Sequence, residues 1–133
     1  MPAPDTAMIL EVPSDVRFFR PVRLAVGGLA AMVGFDVDAI DDLRIGVDEL
    51  CAMAAEGGDG STLRLAVDAR PGELLRIDAS TTAGPADIDP DRLHFSRQIL
   101  SVVADAYDLE VVAGQLRCWL ERAPGAAGAA DAP

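Results

Sequence analysis

Two alternating apolar runs separated by a tight turn constrain this chain more than any other feature. TLRLAVDA (62–69) and LLRIDAS (74–80) flank RPGE. Side chains of a strand point alternately to opposite faces, so Leu63, Leu65 and Val67 share one face. Strands joined this closely pair antiparallel. A second pair lies in DLEVVAGQLRCWLER (108–122), which reads as a hairpin around Ala113-Gly114. AMILEV (7–12) supplies a further strand, ended by Pro13. A sheet with one apolar face must be covered, and the remaining segments have helical periodicity.

The first of these is 15–35, with Ser14 as the expected N-cap and Gly34 as the stop signal. Pro21 would break a helix interior, so it marks a kink or a start nearer Phe19. The second helix spans about 38 to 56. Its Leu43, Val47, Leu50, Cys51 and Ala54 follow the spacing of a buried stripe. GGDGS (57–61) is a turn and TTAGPADIDPD (81–91) is a loop. RLHFSRQILSVVADAY (92–107) is the third helix, with Phe95, Ile99, Val102, Val103 and Ala106 expected on its buried face. The order β-α-α-β-β-α-β-β predicts an α+β, two-layer α/β sandwich. A mixed, mainly antiparallel sheet is covered on one face by three helices. One domain over 7–122 and a disordered small-residue tail over 123–133 follow.

Charge narrows the possible partners. Eleven basic and 22 acidic residues give a net charge of −11. Neither nucleic acid nor an anionic membrane surface attracts such a chain directly. No run reaches the length of a membrane span, and the first residues lack the basic start of a signal peptide, so a cytoplasmic location is expected. Cys51 and Cys118, with one histidine, make no metal signature and read as buried small hydrophobes, although a redox role stays open. Trp119 reads as core or as a dimer edge.

The segment AIDDLRIGVDELCAMAAE resembles the N-box helix of the GHKL ATPase superfamily, in its small anti-sigma-factor/serine-kinase branch (RsbW-type, with UsfX-like members). The likeness extends in order and pattern over residues 7 to 122 and implies the same Bergerat-type sandwich. In the family, the N-box glutamate acts as base or water-positioner, and an asparagine four residues later holds magnesium. Glu49 matches the glutamate, but Met53 stands at the asparagine position. A thioether is a soft, weak donor, unsuited to a hard ion. The D-x-G-x-G motif that reads adenine is matched only by TAGPA, with Thr82 for the aspartate, Gly84 kept and Ala86 for the second glycine. At the glycine-rich lid the chain has LHFSRQIL, with His94 and Ser96 at the glycine positions around Phe95.

The resemblance therefore implies a degenerate nucleotide site over Glu49, Met53, Thr82, Gly84 and Ala86. Glu49 is then a vestigial base, a partner contact or part of a solvated face, since residues 36 to 60 carry eight acidic residues and one arginine. Arg17, Arg20 and Arg23 make a basic patch on an acidic chain. It is either a solvated face or a partner-binding surface. Arg20 sits where the family's anti-sigma factors contact both the sigma factor and its antagonist. The function implied is sequestration of an alternative sigma factor, relieved by a STAS-domain anti-anti-sigma protein, in a homodimer that needs no cofactor. One alternative is a serine kinase using ATP and magnesium on the STAS partner. A second is a ligand sensor or scaffold on the same fold.

Overall fold

A computed structural model describes residues 6–57, 62–81, 89–112 and 115–125. The elements run β1 (Thr6–Pro13), a 3₁₀ turn (Val16–Phe18), α1 (Phe19–Met32), α2 (Val37–Gly57), β2 (Thr62–Asp68), β3 (Leu75–Thr81), α3 (Pro90–Val103), β4 (Ala106–Val112) and β5 (Gln115–Arg122). The five strands form one sheet in the order β1-β2-β3-β5-β4. Every neighbouring pair is antiparallel. The expected α+β sandwich is therefore present, with no parallel pair in its sheet.

The period-2 reading holds in detail. Leu63, Leu65 and Val67 of β2, Leu75, Ile77 and Ala79 of β3, and Leu116, Cys118 and Leu120 of β5 are all buried on the helix side. Helix α2 crosses the middle of that face, touching β2, β3 and β5, with α1 and α3 on either side of it. Its predicted stripe, Leu43, Val47, Leu50, Cys51 and Ala54, is buried throughout. Gly46 lets α2 lie close to the sheet, because a Cβ there would sit 2.7 Å from the Leu120 Cδ2.

The ends of the helices depart from expectation. Asp15, not Ser14, caps the first turn, its carboxylate accepting from the Arg17 backbone N–H. The α-helix itself starts at Phe19 with Pro21 in its first turn, where a missing N–H costs nothing. Gly34, at φ 97°, ends α1: its N–H reaches the Ala31 carbonyl, and the Phe35 N–H reaches Ala30. This is a left-handed closure that a Cβ would strain.

Helix α3 is shifted from the expected 92–107. Pro90 opens it behind an Asp89 cap, and Ala104 already has extended backbone. Its buried residues are Ser96, Leu100 and Val103, whereas Phe95 and Val102 are exposed. Of the residues expected on the buried face, Val103 is buried and Ile99 half-buried, while Phe95 and Val102 face outward. Ala106 belongs to β4. Trp119 is not in the core. It lies half-buried on the outer face of the sheet, beneath the Arg76 guanidinium at 4.2 Å.

The chain remains packed past β5. The Ala123 N–H donates to Asp105, and the Pro124 carbonyl accepts from Asp36. The tail beyond residue 125 lies outside the described residues. Among the described residues no helix is long and apolar enough to cross a membrane.

Candidate functional site

Asp48 and Glu49 are consecutive on α2, so their side chains diverge by about 100°. Each meets a different helix. Asp48 Oδ2 accepts from the Arg23 guanidinium of α1 at 2.6 Å. Its Oδ1 is buried without a hydrogen-bond partner among the described residues. Glu49 turns the other way, toward α3. Its Oε1 lies 2.6 Å from an Arg92 guanidinium nitrogen and 2.6 Å from the Ser96 hydroxyl.

Arg92 holds several partners at once. The nitrogen that meets Glu49 also lies 2.6 Å from Ser96 Oγ, and its Nε is 3.2 Å from Glu56. Ser96 in turn is 2.8 Å from the Met53 sulfur. A hydroxyl has one proton to give. With Arg92 donating to it, Ser96 directs that proton to the Glu49 carboxylate, the stronger acceptor, and the Met53 sulfur fills the remaining contact. Met53 and Ser96 are fully buried, and Glu49 is 13% exposed.

The spacing explains the cluster. Glu49, Met53 and Glu56 recur at i, i+4 and i+7 on α2, and Arg92 and Ser96 at i and i+4 on α3, so two helix faces meet along one line. Arg92 and Glu56 were not found from the sequence. A usable signal existed in Ser96, which sits one turn before Leu100 in a buried stripe and so needs a polar partner across the interface.

This donor set does not suit a magnesium–nucleotide group. The carboxylate is already ion-paired to a guanidinium, and the neighbouring atoms are a thioether and a hydroxyl. At the start of α3, where a lid would offer free N–H groups to phosphate, Asp89 accepts from Asp91 N and Asp91 adds a second carboxylate. Both repel an anion from that end. Thr82, Gly84 and Ala86 lie outside the described residues. His94 is exposed on α3.

The three α1-side arginines separate. Arg17 folds back on Asp15 at 2.7 Å, and this bond holds the Asp15 carboxyl below its ordinary range. Arg23 is taken by Asp48. Arg20 is exposed and makes no side-chain bond among the described residues. It stands over a groove of about 460 Å³ between α1 and α2, walled by Val16, Phe19 and Ala52, with Arg23, Asp48 and Glu49 at its polar side. Cys51 and Cys118 are buried free thiols. Burial pushes Cys51 up to about 12, with a smaller push from Asp48, and burial raises Cys118 as well.

An antiparallel five-stranded sheet under three helices matches a GHKL-like fold. Known proteins give the narrower assignment. The anti-sigma-F factor RsbW of Mycobacterium tuberculosis is 32% identical over 100 residues, covering 74% of this chain and 58% of the relative. The serine-protein kinase RsbW of Bacillus subtilis is 34% identical over 47 residues, 35% of this chain and 29% of the relative. A crystal structure of the RsbU and RsbW domains of a Mycobacterium tuberculosis protein superposes with a TM-score of 0.63 at 15% identity, over 86% of this chain and 32% of that one. No family model matches. These likenesses support an RsbW-type place for the chain among GHKL-like proteins. The chain spans a little over half the length of the anti-sigma-F factor it matches.

Proposed function

We propose that this chain is an anti-sigma factor that binds an alternative sigma factor directly and does not phosphorylate its antagonist. A STAS-domain anti-anti-sigma protein competes for the same surface and releases the sigma factor. The chain works as a homodimer in the cytoplasm, where its partners are. The observation carrying this reading is the engagement of Glu49. A base or magnesium-site carboxylate must be free to meet water or metal, and here a guanidinium and a hydroxyl hold it at 2.6 Å each. The soft sulfur of Met53 and the acidic start of α3 point the same way. The names of the relatives support sigma-factor antagonism.

Arg20 is the residue through which we expect partners to be read. It is exposed beside an apolar groove, and an unpaired guanidinium fits a partner carboxylate bidentately.

Titration of the purified chain with a sigma factor and a STAS protein encoded beside it tests the proposal. A complex that forms equally with and without magnesium–ATP, and that the STAS protein dissociates, is expected. Absence of any complex overturns it. The retained Glu49 favours a second reading, a serine kinase using ATP. Phosphoserine on the STAS protein that disappears in Glu49→Gln would establish that reading instead.

A further inference from the structure

Helix α3 buries one stripe, Ser96, Leu100 and Val103, and carries a second at the same i, i+4, i+7 spacing: exposed Phe95, half-buried Ile99 and exposed Val102. Phe95 is 56% and Val102 81% exposed, and Ile45 of α2 is 49% exposed. Ile45, Ile99, Val102 and Val103 form the apolar lining of a groove of about 360 Å³, with Gln98 as the polar residue at its edge. This groove lies between α2 and α3, whereas the Arg20 groove lies between α1 and α2. Large aliphatic side chains gathered in one exposed groove mark a surface that something covers.

The rim states what kind of partner fits. Asp42 lies one turn before Gly46, and Asp105 follows the end of α3. Arg122 sits between them, 3.0 Å from Asp42 and 3.9 Å from Asp105, so two carboxylates share one cation. Asp41, one turn before Ile45, is exposed. The last turn of α3 has no basic residue of its own, so its carbonyl pole adds to the negative side of this balance. An apolar floor with an acidic rim disfavours a second copy of a chain of charge −11, and also an anionic membrane or nucleic acid.

We propose that the α2–α3 groove seats an amphipathic helix of a basic protein partner, with aliphatic anchors one turn apart and lysines or arginines along its flanks. This is the helix-in-groove mode of recognition. It stands independently of the sigma-factor reading, because it uses neither Arg20 nor Glu49.

A fluorescently labelled amphipathic Leu/Lys helical peptide, titrated against the full chain by anisotropy, tests it. The informative variant is Val102→Asp. It adds negative charge, so simple charge attraction would bind the peptide more tightly. A seat at Val102 instead weakens binding roughly tenfold or more, since a carboxylate must be desolvated where an aliphatic group was buried. Ile45→Asp, on the other wall, should act the same way, and circular dichroism should show both variants folded. Unchanged or tighter binding to both variants overturns the proposal. So does equal binding of a Leu/Glu peptide, or no saturable binding to the unmodified chain. Concentration-dependent dimerisation abolished by Val102→Asp would identify the occupant as a second copy and overturn it too.

Discussion

Glu49 of α2 and Ser96 of α3 are joined by a 2.6 Å hydrogen bond, with Arg92 bonded to both. The bond crosses the interface between α2 and α3. The three side chains satisfy one another, with Glu56 and Met53 as further partners of Arg92 and Ser96.

Such a set behaves as a unit. Glu49→Gln removes the charge that Arg92 pairs with, and Ser96→Ala removes the bridge. Each is expected to lower unfolding free energy in urea by about 1 kcal/mol. The double variant should cost less than the sum, with a coupling of at least about 0.5 kcal/mol. Strict additivity would show that the contacts are independent.

Arg20 and Arg23 should separate binding from stability. Arg20→Ala removes no bond within the described residues, so its melting temperature should match the parent. Complex formation with the sigma factor or the STAS antagonist should weaken by roughly 2 kcal/mol, a hot-spot loss. Arg23→Ala cuts a half-exposed pair with Asp48 and should cost about 0.5 kcal/mol of stability. Calorimetric binding and thermal melts on both variants check this.

Two glycines test the packing of α2 and the end of α1. In Gly46→Ala the new methyl meets buried Leu120, and a loss of about 1–3 kcal/mol is expected. In Gly34→Ala open space surrounds the methyl, but φ 97° disfavours any Cβ, and about 1 kcal/mol is expected. Denaturant midpoints measure both.

The thiols predict an alkaline weakness. Unfolded Cys51 ionises near the ordinary value of 9.0, while in the fold burial holds its proton up to about 12. Above about pH 9 the unfolded state therefore binds fewer protons than the native state. Stability contributed by this thiol is complete below that pH and falls toward pH 12, by about 1.4 kcal/mol per unit. Cys118 is shifted in the same direction. Unfolding curves at about pH 8 and pH 10 should show the decline, and a Cys51→Ala variant should flatten it. In the native state neither thiol should react readily with a thiol reagent.

Much of the fold was legible because the strands and α2 each carry one unambiguous apolar face. Leu63, Leu65 and Val67 could point only one way, and so could Leu43, Val47 and Leu50. Helix α3 was misread in two respects, and both have a physical cause. Its two apolar stripes are equivalent by periodicity, and only packing decides between Leu100 and Ile99. Its end was placed too late because Ala106 continues the helical spacing while serving as a strand residue.

The site was half legible. Glu49 and Met53 came from the N-box likeness on a single helix. Arg92 and Glu56 depend on how α3 docks against α2, which no local pattern records. The parting of Arg17, Arg20 and Arg23 was hidden for the same reason, since it depends on Asp15 and Asp48 being within reach.

The adjacency of Asp48 and Glu49 also ties both pairings to the angular phase of α2. One residue gained or lost inside α2 between Leu43 and Val47 would rotate both carboxylates by about 100° relative to the buried first half of the helix. The spacing of the two acids from the buried stripe of that helix is therefore as much a part of the site as their identities.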